Sequence, residues 1–230
     1  MKETILLVDD EEAIVSLLEV YLKNEGYEVA ACYNGKEALE ALKRQTIHLA
    51  LLDVMLPDID GFQLCTKIRE NYLFPIIMLT AKGNDMDKIH GLTLGADDYI
   101  TKPFNPLEVI TRVKTQLRRY TRYNQPSAEQ KDTEIVIHGL SMFRESHKCI
   151  LNMKELSLTP REFEILWYLA EHRGKVVSSE ELFEAVWKEK YFDNNNTVMT
   201  HVARIREKMQ EPARKPKYIK TVWGVGYTIE

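Results

Sequence analysis

The chain of 230 residues is 44% hydrophobic and 29% charged, with a formal net charge of −4, and it is long enough for one or two domains with buried cores. Its three cysteines are odd in number and show no CxxC spacing, so the sequence indicates neither a disulfide framework nor a zinc site. Apolar runs stay well short of the roughly 18 residues of a membrane span, and no cleavable signal precedes the first predicted strand, so we expect a cytoplasmic protein with no membrane partner.

Charge is divided unevenly along the chain. Residues 1–120 carry a net charge of −5, whereas residues 196–230 carry +4. An acidic front half and a basic tail indicate different partners, and an anion such as DNA is a candidate partner for the tail. A solvated basic face is the alternative explanation for the tail.

Five short apolar runs in the first 120 residues are typical of strands and alternate with segments of helical periodicity. The predicted strands are residues 4–9, 27–32, 47–53, 75–80 and 97–101, and the predicted helices lie near residues 11–24, 35–45, 60–70, 86–94 and 105–120. Right-handed crossovers with helices on both faces predict a doubly wound (βα)5 domain of the α/β class. Its five parallel strands would most simply have the order 2-1-3-4-5.

Acidic residues follow two strands that this order makes neighbours. Asp9 and Asp10 come after the first strand, and Asp53 ends the third. All three are therefore expected to meet at the switch point, where open α/β sheets bind ligands. Clustered carboxylates raise one another's pKa unless a cation joins them. Oxygen ligands without histidine or cysteine favour Mg²⁺ over zinc.

The phrases LLVDDEE, LLDVMLPDIDG, PIIMLTA and GADDYITKPF carry these acids, Thr80 and Lys102 in order over nearly all of residues 3–120. In this combination they resemble the receiver domain of two-component response regulators. The resemblance implies that Asp53 is the phosphoacceptor, which takes its phosphoryl group from a phosphohistidine of a sensor histidine kinase. It also implies a set of Mg²⁺ ligands: Asp9, Asp10, Asp53 and the backbone carbonyl of Met55.

The resemblance assigns further roles around the phosphoryl group. Lys102 would contact a phosphate oxygen, and its peptide bond to Pro103 is a candidate cis bond. Thr80 would donate its hydroxyl to the phosphate, and the resulting shift would let Tyr99 turn inward as a switch. The alternatives are a strand-end threonine that satisfies its own backbone and a half-buried sheet tyrosine.

Six charged residues are of the types that the OmpR/PhoB-type subfamily places in a symmetric dimer interface. The resemblance implies a homodimer on phosphorylation, formed through the last two helices and the last strand of the receiver. Its salt bridges would set register and partner choice more than affinity. A charged, solvated face is the alternative. The six residues are Lys88, Asp97, Asp98, Glu108, Arg112 and Arg119.

Residues 1–120 form the predicted receiver domain, and the alternation of strand and helix patterns ends with it. Residues 121–133 lack apolar periodicity and predict a flexible linker, which leaves 134–230 as a second domain. Strand-like pieces come first in this domain, followed by a helix that Thr159 and Pro160 open and a second helix after Ser178 or Ser179. A third helix near residues 195–209 and a hairpin about residues 224–226 complete the domain.

This order, with the phrases SLTPREFEIL and KTVWGVGY, resembles the winged helix-turn-helix α+β DNA-binding domain of the same subfamily. The resemblance implies that the third helix lies in the major groove of promoter double-stranded DNA. Arg204 and His201 are the candidates for base edges, and a packed helix histidine is the alternative for His201. Trp223 stands where the family often has an arginine, so minor-groove contact by the hairpin stays open. The predicted DNA-contacting residues are Asn196, Thr197, Thr200, His201, Arg204, Arg206, Lys208 and Lys220.

Longer phrases narrow the resemblance within the subfamily. YLKNEGY, DKIHGLTLGADDYITKPFNPLEV and KYIKTVWGVGYTIE look like the VanR-type regulators of glycopeptide (vancomycin) resistance operons. This implies a VanS-like sensor histidine kinase as partner and activation of a glycopeptide-resistance operon.

Three functions from different classes follow from these patterns. The favoured one is a transcription factor switched by phosphorylation, which is not an enzyme beyond accepting phosphoryl from donors and losing it slowly. The second is a phosphatase with an aspartate nucleophile, although LVDDEEA lacks the DxDxT pattern of haloacid-dehalogenase-like enzymes; steady turnover of a small phosphate ester would favour it. The third is a DNA-binding protein whose receiver only dimerises, in which Asp53→Ala would leave promoter binding unchanged.

Overall fold

The computed structural model describes residues 2–81, 95–122, 133–191, 196–212 and 216–230. The chain divides into two compact units, Met1–Tyr120 and Thr121–Glu230. No helix among the described residues is long and apolar enough to cross a membrane. The predicted helix at 86–94 lies outside the described residues.

The first unit contains a five-stranded parallel sheet, and its strand order β2-β1-β3-β4-β5 is the predicted one. Its strands are β1 (Thr4–Val8), β2 (Glu28–Cys32), β3 (Leu49–Asp53), β4 (Ile76–Ala81) and β5 (Asp98–Lys102). Its described helices are α1 (Glu12–Asn24), α2 (Gly35–Arg44), α3 (Gly61–Arg69) and α4 (Pro106–Arg122). The inner strands β1 and β3 coincide with apolar runs that are buried along their whole length, as parallel sheets require, whereas β2 lies at the edge and is only partly buried.

Helix starts in the first unit follow the polar residues that precede them. Asn34 is the N-cap of α2 and accepts a hydrogen bond from Glu37 N, while Asp60 is the N-cap of α3 and accepts from Phe62 N. Both side chains satisfy amides that the helix leaves unpaired. Helix α4 continues to Arg122, two residues into the predicted linker, and residues 123–132 lie outside the described part.

One core cluster of the first unit lies between the central strands and the helices α1 and α4 on one face of the sheet. Leu7 of β1, Leu51 of β3 and Leu79 of β4 are fully buried and pack with Leu18 of α1 and Val113 of α4. Because these side chains fix the register of the sheet, the polar residues at its carboxyl edge have fixed positions. The Lys102–Pro103 peptide bond at that edge is cis, as the sequence predicts.

The second unit begins with four antiparallel strands and ends with a three-stranded sheet whose order is β10-β12-β11. The first sheet is formed by β6 (Glu134–Ile137), β7 (Leu140–Phe143), β8 (Cys149–Leu151) and β9 (Lys154–Glu155). The second is formed by β10 (Val177–Ser178), β11 (Ile219–Val222) and β12 (Gly226–Ile229), and between the sheets lie α5 (Pro160–Glu171), α6 (Ser179–Trp187) and α7 (Thr197–Lys208).

Helix α5 begins with a complete capping box. Glu162 N donates to Thr159 Oγ1 at 3.4 Å, Thr159 N donates to Glu162 Oε2 at 2.7 Å, and Pro160 occupies the first turn. Ser178 caps α6 in the predicted manner, accepting from Glu181 N at 3.0 Å. These caps explain why both helices begin where the sequence places them.

A half-buried carboxylate joins α5 to the turn between β7 and β8. Glu164 Oε2 is 3.1 Å from Arg144 Nη1, and its Oε1 is 3.0 Å from His147 Nε2. Burial alone would raise the pKa of Glu164, but the hydrogen bond from His147 and the charge of Arg144 outweigh it and hold the pKa at about 2. The ionised carboxylate therefore stabilises this unit.

Glu164→Gln is expected to lower the free energy of unfolding of the second unit by roughly 3 kcal/mol at pH 7, from about 1.36 kcal/mol per pKa unit. The folded pKa is depressed, so this stabilisation is present above the carboxyl's usual pKa of 4.5 and is lost as the pH falls towards about 2. Urea unfolding at pH 7 and pH 3 tests this by fluorescence, since Trp167, Trp187 and Trp223 are the three tryptophans and all lie in this unit. Glu171→Gln, an exposed carboxylate of the same helix, is the control; equal losses for the two variants would contradict the prediction.

Candidate phosphoacceptor site and nucleic-acid interface

The three predicted acids lie together at the carboxyl edge of the first sheet. Carboxylate oxygens of Asp9, Asp10 and Asp53 are all within 4.8 Å of one another. The cause is the parallel pairing of β1 with β3, in which Val8 is opposite Leu52, so the residues that follow each strand emerge side by side. Asp9 and Asp53 are buried, at 0% and 4% exposure, whereas Asp10 is exposed.

Lys102 lies among these acids from the end of β5. Its Nζ is 2.8 Å from Asp9 Oδ2, 3.2 Å from Asp53 Oδ2 and 3.3 Å from Glu11 Oε1. Burial alone would lower the pKa of Lys102, but its contacts with Asp9 and Asp53 raise it. Lys102 therefore places a positive charge among the acids, while Glu11 is a neighbour that the sequence reasoning did not single out.

Asp53 has the environment of a reactive carboxylate. Burial raises its pKa to about 6, and the charge of Asp9 adds to this, although Lys102 and a hydrogen bond from Val54 N oppose it. The Val54 amide donates to Asp53 Oδ1 at 2.9 Å, which leaves Oδ2 on the side of Lys102. One carboxylate oxygen is thus held by the backbone, and the other faces the cluster.

The donor set fits a hard divalent cation. Three carboxylates converge on one point against a single lysine, so the cluster keeps an excess of negative charge that a dication would neutralise. Receiver domains generally use Mg²⁺ at such a cluster, and oxygen donors suit that ion. Met55 lies two residues after Asp53 in the loop that leaves β3, with a side chain that is 73% exposed.

The two predicted switch residues lie on the neighbouring strands. Thr80 is on β4, one residue beyond the Leu79 that pairs with Asp53. It is 1% exposed, and its hydroxyl has no hydrogen-bond partner among the described residues. Tyr99 is on β5, is 7% exposed and pairs with Met78. An unpaired buried hydroxyl costs about 1–3 kcal/mol, so this position favours an incoming hydrogen-bond acceptor.

Gly61 is a site residue that the sequence reasoning missed. A Cβ at this position would lie 2.0 Å from the backbone oxygen of Asp53, and Gly61 N donates to Val54 O at 2.9 Å. The start of α3 therefore packs directly against the backbone of the predicted phosphoacceptor. The signal was present in the sequence as an Asp-Gly pair at a helix start, but close approach to Asp53 is visible only in three dimensions.

The predicted dimer-face charges fall into two environments. Asp98, Glu108 and Arg112 form one cluster, in which Arg112 lies 3.0 Å from Asp98 Oδ1 and 3.2 Å from Glu108 Oε1. Asp97 differs from the expectation of an exposed salt bridge. Asp97 is fully buried, accepts a hydrogen bond from Ile76 N at 2.9 Å and forms an ion pair with Arg69 Nη2 at 2.5 Å. Through the contact with Ile76 it links the starts of β4 and β5. Lys88 and the side chain of Arg119 lie outside the described residues.

Helix α7 presents fewer of the predicted DNA contacts than the sequence indicates. Asn196 is exposed, and Thr200 and Arg204 are partly exposed. Thr197 and His201, in contrast, are 0% and 1% exposed, and the His201 ring lies 5.4 Å from that of Trp187. The packed-histidine alternative is therefore the one that the structure supports. A DNA contact through Thr197 or His201 does not fit this arrangement, because both side chains point into the domain.

Three predicted phosphate contacts are engaged within the second unit. Lys208 Nζ is 2.6 Å from Glu162 Oε2, Arg206 donates to Ile219 O and to Thr221 Oγ1, and Lys220 pairs with Glu230. Their side chains remain partly exposed. The exposed Trp223 and Val225, at 90% and 56%, form the tip of the β11–β12 hairpin.

Family comparisons agree with both units. Residues 5–114 match the response regulator receiver domain, and residues 153–229 match the C-terminal domain of transcriptional regulatory proteins. Together with the acid cluster and the helix-and-hairpin unit, these matches define the class of protein as a two-component response regulator with a DNA-binding domain. This class sets aside the phosphatase alternative.

Full-length relatives define the family further. The chain is 62% identical to the regulatory protein VanRc of Enterococcus gallinarum and 54% identical to VanR of Enterococcus faecium, in each case over all of both chains. It shares 33% identity, with a TM-score of 0.50, with the crystal structure of the Thermotoga maritima response regulator DrrB, an OmpR/PhoB homologue, over 100% of this chain and 99% of that one. A cysteine-to-serine RitR mutant is similar with a TM-score of 0.67 at 28% identity, over 99% of both chains. The chain belongs to the OmpR/PhoB-type response regulators.

Gly61→Ala is expected to lower the free energy of unfolding of the first unit by about 1–3 kcal/mol, because the added methyl group forces the backbones of α3 and Asp53 apart. It should also weaken Mg²⁺ binding, since Asp53 belongs to the acid cluster. Thermal unfolding by circular dichroism and a Mg²⁺ titration measure the two effects. Gln63→Ala changes an exposed residue of the same helix and should do neither; unchanged stability of Gly61→Ala would refute the close packing.

Proposed function

We propose that this protein regulates transcription by accepting a phosphoryl group on Asp53 from a sensor histidine kinase. The observation that carries the proposal is the buried Asp53 carboxylate, whose Oδ2 lies 3.2 Å from Lys102 Nζ and within the Asp9 and Asp10 cluster. In the transfer, an Asp53 oxygen attacks phosphorus while the bond from phosphorus to the donor's histidine nitrogen breaks. The product is an acyl phosphate.

Each site residue has a part in this transfer. Asp9, Asp10, Asp53 and the Met55 carbonyl would hold Mg²⁺, which when bound neutralises charge on the phosphoryl oxygens. Lys102 would move its ion pair from Asp53 Oδ2 to a phosphoryl oxygen. The Thr80 hydroxyl would donate to another phosphoryl oxygen. Tyr99, which is already buried at 7% exposure, would change its side-chain position within the domain and so report the phosphorylated state.

The protein would carry out only the phosphoryl chemistry of its own switch. It would accept phosphoryl groups from small donors as well as from a kinase, and it would lose them slowly by hydrolysis. The 62% and 54% identity to VanRc and VanR supports a VanS-like kinase as the phosphoryl donor and a glycopeptide-resistance operon as the target. The protein would act in the cytoplasm, where promoter DNA lies.

Acetyl phosphate with Mg²⁺ is expected to add one phosphoryl group to the wild-type protein, and none to Asp53→Ala, because the nucleophile is missing. Intact-protein mass spectrometry measures this, and a phosphorylated VanS-type kinase replaces acetyl phosphate in a second series. Without Mg²⁺ the wild-type gain should be strongly slowed. Asp58→Ala, which changes an exposed carboxylate of the following loop, serves as the comparison; a phosphoryl group that persists in Asp53→Ala would remove Asp53 from its role.

Phosphorylation would act through a homodimer. The face formed by β5, α4 and the helix predicted at 86–94 would pair with its copy. Asp98, Glu108 and Arg112 would exchange their intramolecular ion pairs for intermolecular ones, and Lys88 and Arg119 would add further intermolecular pairs. The cluster of Arg112 with Asp98 and Glu108 supports this, since Glu108 is exposed, Arg112 is partly exposed and both need only change partner. Asp98 is 7% exposed, so its new partner would have to reach a largely buried carboxylate. The proposed linker at 121–133, between domains 1–120 and 134–230, would let two DNA-binding domains reach adjacent half-sites.

Arg112→Glu is expected to prevent dimerisation of the phosphorylated protein, because it places like charges opposite each other, whereas loss of a single exposed pair costs only about 0–1 kcal/mol. Sedimentation velocity of the acetyl-phosphate-treated protein measures the oligomeric state. Arg44→Glu reverses an exposed charge on α2, on another face, and should dimerise like the wild type. A dimer that withstands Arg112→Glu would contradict this interface.

The DNA contacts would come from the side chains that α7 leaves accessible. Arg204 and Thr200 are the proposed base contacts, and Asn196 with Lys220 are proposed phosphate contacts. The buried Thr197 and His201 are left out of this set. Arg206 and Lys208 have internal partners that would have to be shared with a phosphate.

A further inference from the structure

Arg206 lies between α7 and the β11–β12 hairpin. Its Nε and Nη2 donate to the backbone carbonyl of Ile219, at 3.1 and 2.7 Å, and Nη2 also donates to Oγ1 of Thr221 at 2.8 Å. Its guanidinium carbon is 5.9 Å from the centroid of the Tyr227 ring, within the range of a cation–π contact. One helix side chain therefore contacts both strands of the hairpin.

Arg206 forms its hydrogen bonds with β11, the strand of the hairpin that has the fewer backbone partners. Strand β11 is an edge strand of its sheet, with β12 as its one neighbour, and edge strands present backbone groups that no further strand pairs. Thr221 is directly opposite Tyr227 in the register of the hairpin. The guanidinium of Arg206 thus supplies hydrogen bonds to β11 on its open side and covers a cross-strand pair at the same time.

The use of the guanidinium donors favours a brace over a phosphate contact. Arg206 has five N–H groups in a rigid fork, and three of them are used toward Ile219 and Thr221. The two that remain are both on Nη1. A lysine at this position would keep the charge but could not form the same fork.

The braced hairpin has an unusual tip. Trp223 is 90% exposed and Val225 is 56% exposed, and Gly224 between them has a φ of +73°. Val225 N closes the turn by donating to Val222 O at 3.0 Å. Two exposed apolar side chains at the end of this hairpin require a fixed orientation if they are to contribute to binding, because every rotation that binding has to freeze reduces the affinity.

We propose that Arg206 is a positioning residue, which locks the β11–β12 hairpin to α7 so that helix and hairpin meet DNA as one preorganised surface. The inference rests on the proposed function only in that the surface binds DNA. The lock itself is a property of the free protein and can be tested without DNA.

Hydrogen exchange of the free protein tests the lock. Arg206→Lys and Arg206→Met should both accelerate exchange of the β11 and β12 amides at least about tenfold, since both lose the fork, and α5 amides should be unaffected. Lys217→Met removes a neighbouring exposed charge without touching these hydrogen bonds, so it should leave the hairpin as in the wild type. Cooperative unfolding, followed by tryptophan fluorescence, ensures that each variant is folded. Unchanged hairpin exchange in both Arg206 variants would overturn the proposal.

DNA binding tests the consequence. A duplex is first selected from a random-sequence pool by the wild-type protein treated with acetyl phosphate and Mg²⁺, and it is then used as an anisotropy probe for the variants treated in the same way. Arg206→Lys should bind it about tenfold more weakly, the effect of losing roughly one charge-assisted hydrogen bond. A phosphate contact would instead survive the change, because lysine binds phosphate as a point charge; affinity within about twofold of the wild type would refute the positioning role. Failure of the wild type to select any duplex would reject the proposed function, while the exchange experiment would still decide whether Arg206 locks the hairpin.

Discussion

The receiver depends on two buried carboxylates, Asp9 and Asp53, that share one lysine. Lys102 is within 3.2 Å of both, and a third carboxylate, Asp10, is within reach of the same point. Burial raises the pKa of Asp53 to about 6. The three carboxylates share a single lysine, so the cluster keeps an excess of negative charge. A dication would stabilise this cluster, and so would a ligand whose oxygen atoms accept hydrogen bonds from Lys102. Mg²⁺ and a phosphoryl group are such partners, and both take part in phosphoryl transfer. The adjacency of β1 and β3 produces this constraint, because it brings the ends of both strands to one edge.

The same edge explains how a local event could change the rest of the unit. Thr80 holds a buried hydroxyl that no described residue satisfies, so an acceptor at Asp53 would remove a cost of about 1–3 kcal/mol. Thr80 pairs with Thr101 on β5, two residues beyond Tyr99. A movement of β4 toward Asp53 would thus be felt on β5, where Asp98 binds Arg112. We propose that a free-energy difference of this size between two arrangements of the receiver biases the conformation of the dimer face.

Sequence patterns predicted the sheet order and the acid cluster because both follow from strand ends, which apolar runs mark clearly. They also predicted the helix caps at Thr159 and Ser178, since those depend on neighbouring residues. Tertiary packing was beyond them. Gly61 approaches Asp53 across a loop, and Asp97 is drawn inward by Arg69, 28 residues away. No spacing rule encodes such a contact, and Asp97 was assigned to the dimer face only by its resemblance to the subfamily's interface residues.

Helix α7 shows the same limit on the DNA side. Polarity assigned Thr197 and His201 to its outer face, yet both lie one position from the apolar Val198 and Val202 and share their buried side. The His201 ring packs against the Trp187 ring, so this buried side of α7 is filled without an apolar residue at position 201. Arg206 and Lys208 have contacts within the domain that polarity did not indicate: they reach the hairpin and the α5 capping box, so part of the positive charge of the tail holds the domain together. If α7 is the helix that meets DNA, as we propose, affinity would depend on the residues that shape its surface as much as on those that touch the DNA.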